Sequence, residues 1–205
     1  MRGRFIVVEG GEGCGKSTQS ARLAESLDAL WTRQPGGSPL GVRIRSVVLA
    51  SADDDQDAPL DDRAEALLMA ADRAQHVAQV IEPTLAAGRH VVCDRYTPST
   101  IAYQGQGRGL DPVQLAELSS WAARGLQPDL IVLLDVDEQT AAERRGAASD
   151  RIEAAGAEFH RRVVESYRSQ AADDPDRWVV LDGSGDVDAV AALVRDAVTQ
   201  RLGLA

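Results

Sequence analysis

The 205-residue sequence contains one lysine, Lys16, no asparagine and only two cysteines. Cys14 lies in a glycine-rich stretch and Cys93 in an apolar run, which is not the layout of a disulfide framework and favours a reducing compartment. No apolar run reaches the length of a membrane span, and Met1 leads directly into a strand-like pattern without a cleavable signal. We therefore expect a cytoplasmic protein with no membrane partner.

The sequence also lacks an excess of basic residues, since its formal net charge is -10. Binding to a nucleic-acid backbone favours an extended basic surface, so we expect no nucleic-acid partner. A small phosphate ligand needs only a local basic pocket. With 44% hydrophobic residues, the chain can bury one substantial core, and we predict a single domain over residues 1–205.

Five short apolar runs alternate with helical patterns along the chain. The runs predict strands near residues 4–9, 30–32, 90–93, 130–134 and 178–181. The longest helical pattern covers about 60–87, and the last covers 187–202. This alternation predicts an α/β fold with a parallel sheet covered on both faces. The acidic run at 53–57 is interpreted as a solvated loop without function.

Residues 10–17 satisfy the pattern G-x-x-x-x-G-K-[ST] between a predicted strand and a predicted helix. In this context the backbone N–H groups of a glycine-rich loop cradle phosphates, Lys16 reaches the β- and γ-phosphates, and Ser17 offers its hydroxyl to Mg²⁺. The alternative is a glycine-rich turn that binds nothing. The predicted ATP-binding residues are Gly10, Gly11, Glu12, Gly13, Cys14, Gly15, Lys16, Ser17 and Thr18.

Composition and length narrow the kind of phosphate-loop protein. A GTPase switch carries an N-K-x-D element to read guanine, and this chain has no asparagine. A motor or transport ATPase needs a larger body or partner domains. A small kinase remains.

Four segments, in order, carry a specific resemblance. Residues 94–105 resemble the D-R-Y-x-x-S-x-x-A-Y-Q-G signature of thymidylate kinases, and 33–37 resemble their R-E-P-G-G loop. Residues 71–76 and 150–153 resemble their A-x-R-x-x-H helix and D-R-I-E lid. The resemblance implies a P-loop NTPase fold with a five-stranded parallel sheet, a homodimer, and transfer of phosphate from ATP to thymidine 5'-monophosphate (dTMP) with Mg²⁺.

The matched segments imply an acceptor site. Arg45 and Arg73 would clamp the acceptor phosphate, and Ser99, Thr100 and Gln104 would reach the base. Outside the resemblance, these would be solvated arginines and ordinary loop residues. The complete set of predicted acceptor-binding residues is Gln34, Pro35, Arg45, Met69, Arg73, Arg95, Ser99, Thr100, Tyr103 and Gln104.

Ser17 and Asp94 are the predicted metal-binding residues. Asp94 follows a strand, where a carboxylate can orient Mg²⁺ or its water shell; the alternative is a helix N-cap. Arg95 would bridge the donor and acceptor phosphates. Glu12 would help to orient substrate or metal, and the alternative for it is a solvent-facing loop side chain.

Phosphoryl transfer to a phosphate needs no general base, because the acceptor is already largely dianionic at neutral pH. The predicted catalytic residues are Lys16, Arg95, Arg151 and Glu12. Some thymidylate kinases carry an arginine at the position of Gly13. Here the charge is expected from Arg151 in a lid at about 143–153, helped by Arg144 or Arg145, so Arg151→Ala should lower turnover more than acceptor binding.

Three departures from the family pattern concern the acceptor. Met69 stands where a phenylalanine usually stacks on thymine, Gln34 replaces a glutamate, and the segment 27–33 is short. A kinase for another or modified deoxypyrimidine monophosphate is therefore one alternative. The other is a nucleotide-binding regulator without catalytic activity, which the joint presence of Lys16, Asp94, Arg95 and Arg151 disfavours.

Overall fold

The computed structural model describes residues 1–50, 60–145 and 150–204; the acidic run at 53–57 lies outside these ranges. Its five strands are all parallel and lie in the order β2-β3-β1-β4-β5. The predicted fold is confirmed, and each strand coincides with a predicted apolar run. Their bounds are β1 Phe5–Glu9, β2 Leu30–Arg33, β3 Val91–Asp94, β4 Leu130–Asp135 and β5 Trp178–Asp182.

The helical pattern expected over 60–87 is one continuous helix. Its first part (α3) and last part (α4) are joined by a π-helical turn at Val77–Ile81. A second π-helical turn, Ile101–Gly107, follows α5. No helix in the described part of the chain is long and apolar enough to cross a bilayer. The α-helices are α1 Lys16–Ser26, α2 Pro39–Val48, α3 Asp62–His76, α4 Glu82–Ala86, α5 Thr97–Thr100, α6 Pro112–Ala122, α7 Glu138–Arg145, α8 Ala157–Asp173 and α9 Val187–Leu202.

Alternation of side chains along the strands builds a core on each face of the sheet. On one face, Phe5 and Val7 pack with side chains of the long helix and of α8. On the other, Ile6 and Val8 pack with α1 and α9. The central strands are apolar on both sides because helices cover both faces, as expected of a parallel sheet.

The carboxyl ends of β1 and β3 bring the functional segments together. Val8 pairs with Asp94, so the loop that follows β1 lies beside the end of β3. The chain continues to β2 and β3 on one side of β1 and to β4 and β5 on the other. In such sheets the ligand crevice forms where the strand order reverses. The crevice is therefore expected next to the glycine loop.

His76 joins the long helix to the end of β2. Its Nε2 lies 2.7 Å from Thr32 Oγ1, and its Nδ1 lies 3.0 Å from Gln34 Nε2. An amide N–H can only donate, so Nδ1 accepts and the ring is neutral with its proton on Nε2. Burial and the positive charge of Arg73 lower the pKa of His76 to about 4.

This low pKa predicts a loss of stability in mild acid. As the pH falls, histidine in the unfolded chain, with a pKa near 6.5, is protonated before His76 in the folded protein. The contribution of His76 to the free energy of unfolding is therefore complete above pH 6.5 and disappears as the pH falls towards 4. The full loss corresponds to about 3 kcal/mol. Urea unfolding at pH 7 and pH 4.5 should therefore show a smaller pH dependence in His76→Gln than in the wild type. An equal change in the free energy of unfolding between the two pH values in both proteins would contradict the assignment.

Candidate active site

The glycine loop lies between the central strand β1 and helix α1. Gly13 and Gly15 have φ angles of 81° and 87°, which residues with a Cβ rarely adopt. With these backbone angles, the loop leads directly into α1, which begins at Lys16. The Lys16 ammonium is almost fully buried and donates to the carbonyl of Gly11 at 3.1 Å. The lysine is thus folded back over its own loop, where phosphate oxygens bind in such loops.

Ser17 and Asp94 meet at the entrance to α1. Ser17 Oγ donates to Asp94 Oδ2 at 2.5 Å. Asp94 Oδ1 is buried and has no hydrogen-bond partner among the described residues. Asp94 does not cap a helix, because α5 begins at Thr97 and has Tyr96 at its N-cap position. A hydroxyl beside an unsatisfied carboxylate oxygen fits a hard cation such as Mg²⁺, which takes one or two protein oxygens and completes its shell with phosphates and water.

Glu12 lies between two cations. Its Oε2 is 3.3 Å from the Lys16 ammonium, and its Oε1 is 2.5 Å from Arg95 NH2. Tyr103 also donates its hydroxyl to Oε1, at 2.8 Å. Burial opposes ionisation of this carboxyl, but the charges of Arg95 and Lys16 outweigh it and hold the pKa of Glu12 well below its usual range. Glu12 is therefore an anion that aligns both cations, and it is a very weak base.

Arg95 is held in a strained conformation. Its φ of 70° is left-handed, which is unusual for a residue with a long side chain. Its guanidinium donates to the hydroxyls of Tyr103 and Tyr167 at 2.8 and 3.0 Å. Behind it, the buried Glu9 accepts from the Tyr96 N–H and from Tyr167. Sequence reasoning missed Glu9 and Tyr167; the position of Glu9 at the end of β1 was an available signal.

A cavity of about 250 Å³ opens beside this cluster. Most of the residues predicted from sequence line it: Glu12, Lys16, Ser17, Gln34, Pro35, Arg45, Met69, Asp94, Arg95, Ser99, Tyr103 and Gln104. Six further lining residues were not among the predicted site residues, although the first and the last three belong to the matched segments 33–37 and 150–153: Arg33, Val48, Leu49, Asp150, Ile152 and Glu153. The cavity is thus cationic near the glycine loop and partly apolar farther away.

Met69 on α3 and Gln104 on the second π-helical turn line the partly apolar part of the cavity. Met69 is buried there against Ile44 and Val48. Gln104 Nε2 donates to Glu65 Oε1 at 2.6 Å, and Gln104 Oε1 has no hydrogen-bond partner within the described ranges. Sequence reasoning missed Glu65, although it stands one and two helical turns before Met69 and Arg73 on the same face of α3.

Arg73 does not reach the cavity surface. Its side chain is completely buried and donates to Gln34 Oε1, Thr100 Oγ1 and the Tyr96 carbonyl, each at 3.0 Å. Thr100 is likewise buried and does not line the cavity. Neither side chain lines the cavity in this arrangement, and the phosphate clamp at Arg73 and the base contact at Thr100 stay predictions. Instead, Arg73 fixes Gln34, which does line the cavity.

Arg151 is not placed at the glycine loop. Its NH2 group lies 2.5 Å from Glu65 Oε2 and 3.3 Å from the Val48 carbonyl, at the remote end of the cavity. The predicted contribution of Arg151 to charge at the transferred phosphate stays a prediction. Arg144 donates to the carbonyls of Gly183 and Ser184. Lid residues 146–149 and the side chain of Arg145 lie outside the described residues.

A parallel sheet with a glycine loop after its central strand, followed by a buried lysine at the start of a helix, defines a P-loop NTPase fold. The chain belongs to the thymidylate kinase family, whose model matches residues 8–194. This confirms the resemblance found in the sequence and the assignment to the nucleoside monophosphate kinases.

Named relatives agree with the family model. The chain is 50% identical to the thymidylate kinase of Solidesulfovibrio magneticus, over 97% of this chain and 100% of that protein. It is 48% identical to that of Cutibacterium acnes, over 97% and 98%. The crystal structure of thymidylate kinase from Ehrlichia chaffeensis superposes with a TM-score of 0.78 at 31% identity, covering 98% of this chain and 100% of that one. None of these relatives supports the reading of an inactive regulator.

Proposed function

We propose that this chain transfers the γ-phosphoryl group of ATP to dTMP, producing ADP and thymidine 5'-diphosphate. Family membership supports the reaction. The observation that carries the mechanism is the convergence of Lys16 and Arg95 on Glu12 at the mouth of a cavity whose far end is partly apolar. One end suits two phosphates, and the other suits a pyrimidine ring.

In this mechanism the loop N–H groups and Lys16 hold the donor phosphates, and Arg95 lies between donor and acceptor. Arg33 and Arg45, both in the cavity wall, face the acceptor phosphate. Catalysis then consists of positioning two anions in line and compensating their charge. Glu12 keeps both cations aligned and takes no proton, because its pKa lies far below neutral pH.

Ser17 and Asp94 would hold Mg²⁺ in this scheme. When bound, the ion would neutralise charge on the β- and γ-phosphates. The unsatisfied Asp94 Oδ1 supports this assignment. Among residues 1–50, 60–145 and 150–204, no cluster of three or more His, Cys, Asp or Glu forms a metal cage.

The proposed reaction is tested by ADP release with a panel of monophosphates. We expect the highest kcat/KM with dTMP, lower values with dUMP, which lacks the 5-methyl group, and far lower values with purine nucleotides. A higher kcat/KM with another or modified deoxypyrimidine monophosphate would favour the alternative of a kinase for that nucleotide. Absence of ADP release with every acceptor, from folded protein that binds ATP, would contradict the proposal.

We also propose a homodimer. Exposed apolar side chains occur on three neighbouring helices: α3 packs against α2 on one side and against α6 on the other. Val47, Leu67 and Trp121 are 52%, 60% and 80% exposed, respectively. Large exposed apolar groups on one layer of helices are typical of an interface between protein chains.

Charge placed on this layer should separate the dimer. Trp121→Glu would bury a carboxylate against the partner's apolar side chains, so we expect its sedimentation coefficient to fall to that of a monomer. Val180→Glu, at an exposed position on the edge strand β5, is the matched control and should sediment as the wild type does. A dimer that survives in Trp121→Glu, or a wild type that is monomeric at micromolar concentration, would rule out this interface.

The remaining proposals concern organisation and location. We propose one catalytic domain over residues 1–205 with its lid at about 143–153, acting on free nucleotides in the cytoplasm. Both cysteines are unpaired and buried, which supports a reducing compartment.

A further inference from the structure

Glu65 is a buried carboxylate that contacts three side chains: Gln104 and Arg108 at the second π-helical turn, and Arg151 in the lid segment. It is 0% exposed. Its Oε1 accepts from Gln104 Nε2 at 2.6 Å, and its Oε2 lies 2.5 Å from Arg151 NH2 and 3.3 Å from Arg108 NH2. A buried carboxylate without partners is strongly destabilising, so the two arginines account for its charge.

The contact fixes which way the Gln104 amide faces. A carboxylate flanked by two arginines can only accept hydrogen bonds, so Gln104 must turn its NH₂ group towards Glu65. Its Oε1 atom is then left as a buried acceptor with no partner in the part of the chain that the structure describes. Gln104 lines the cavity. The ring that binds there must therefore supply a hydrogen-bond donor.

We propose that Glu65 is a positioning residue that sets the specificity for the acceptor base. By holding the Gln104 amide in one orientation, it selects pyrimidines with an N–H at ring position 3, as in thymine and uracil. Cytosine carries a bare acceptor nitrogen there, and two facing acceptors leave both unsatisfied. This inference rests on the proposed function of the cavity as the acceptor site.

Arg151 contacts Glu65 as well, but its role differs from that of Gln104. It joins the lid segment to Glu65 and also donates to the Val48 carbonyl. Its loss leaves Arg108 as a counter-charge beside Glu65 and leaves the Glu65–Gln104 contact in place. Arg151→Ala should therefore change KM or kcat but preserve the discrimination between bases. Glu65 should change the discrimination itself.

The test compares dTMP and dCMP as acceptors in the wild type and Glu65→Gln. A glutamine keeps the shape of Glu65 but can donate as well as accept, so the paired amides can exchange roles and Gln104 can offer its NH₂ group to cytosine. We expect the ratio of kcat/KM for dTMP over dCMP to fall about tenfold or more. The KM for dCMP should decrease while that for dTMP rises. Glu25→Gln, the same change on the exposed face of α1, should retain the wild-type ratio.

Calorimetric binding of dTMP and dCMP is measured on the same proteins, so that base selection is seen even where no phosphoryl transfer occurs. Gln104→Leu provides a second variant should Glu65→Gln fail to fold, and it should lose the same preference. A Glu65→Gln enzyme that is weaker with both nucleotides by an equal factor would make Glu65 merely structural and overturn the inference. A wild type that binds the two nucleotides equally, or a Gln104→Leu variant with the full preference, would overturn it as well.

Discussion

Lys16→Ala is expected to lower kcat by about a hundredfold to a thousandfold, the range seen when one preorganised donor to transition-state charge is removed. The reason is geometric, because the ammonium is buried and lies within the glycine loop, 3.1 Å from the Gly11 carbonyl. Lys16→Arg should be nearly as impaired, since a planar guanidinium does not fit where a compact ammonium does. Single-turnover measurements at saturating ATP and dTMP separate this effect from weaker ATP binding.

Arg22→Ala is the matched control for Lys16. Arg22 lies on the same helix, but its side chain is 42% exposed and pairs with Asp188 at the surface. Such pairs contribute little to stability, so kcat and the melting temperature should remain near those of the wild type. If Lys16→Ala turned over as fast as Arg22→Ala, the glycine loop would not be the donor site.

Arg95→Ala is expected to have an effect of similar or larger size, about a thousandfold on kcat. Its guanidinium joins Glu12, Tyr103 and Tyr167 at the mouth of the cavity, so no neighbouring group can replace it. The variant should also lose stability, because the partly buried Glu12 would retain only Lys16 as a counter-charge. Arg95→Lys should recover part of the stability and little of the turnover, since one ammonium cannot reproduce the forked contacts.

Thermal unfolding and kinetics on the same samples distinguish these two roles of Arg95. Arg195→Ala, on the exposed face of α9, is the control and should change neither quantity. If Arg95→Ala lost stability but retained its turnover, Arg95 would be a structural residue only.

The fold and the donor half of the site could be predicted from sequence because their signals are local. The strand, the glycine loop and Lys16 are contiguous, and their conformation follows from φ angles that glycine allows. The apolar runs likewise indicate five strands, since a parallel sheet buried on both faces produces continuous hydrophobic stretches. These features depend little on which distant segment packs beside them.

The acceptor half depends on contacts between distant segments, which sequence does not reveal. An arginine is a suitable residue for binding a phosphate, but the guanidinium of Arg73 is buried in hydrogen bonds to Gln34 and Thr100. Arg151 was expected at the phosphates, but the fold brings Glu65 within 2.5 Å of it. Glu65 itself could have been found from the helical spacing that it shares with Met69 and Arg73.

The central claim is that Lys16 and Arg95 bring two phosphates together in one cavity so that one phosphoryl group passes directly between them. Transfer of label from γ-³²P-ATP, with dTMP present and products separated by chromatography, tests it most directly. The account predicts that the label appears in thymidine 5'-diphosphate and that the yield collapses in Lys16→Ala. Label released as inorganic phosphate, at a rate independent of dTMP, would contradict it.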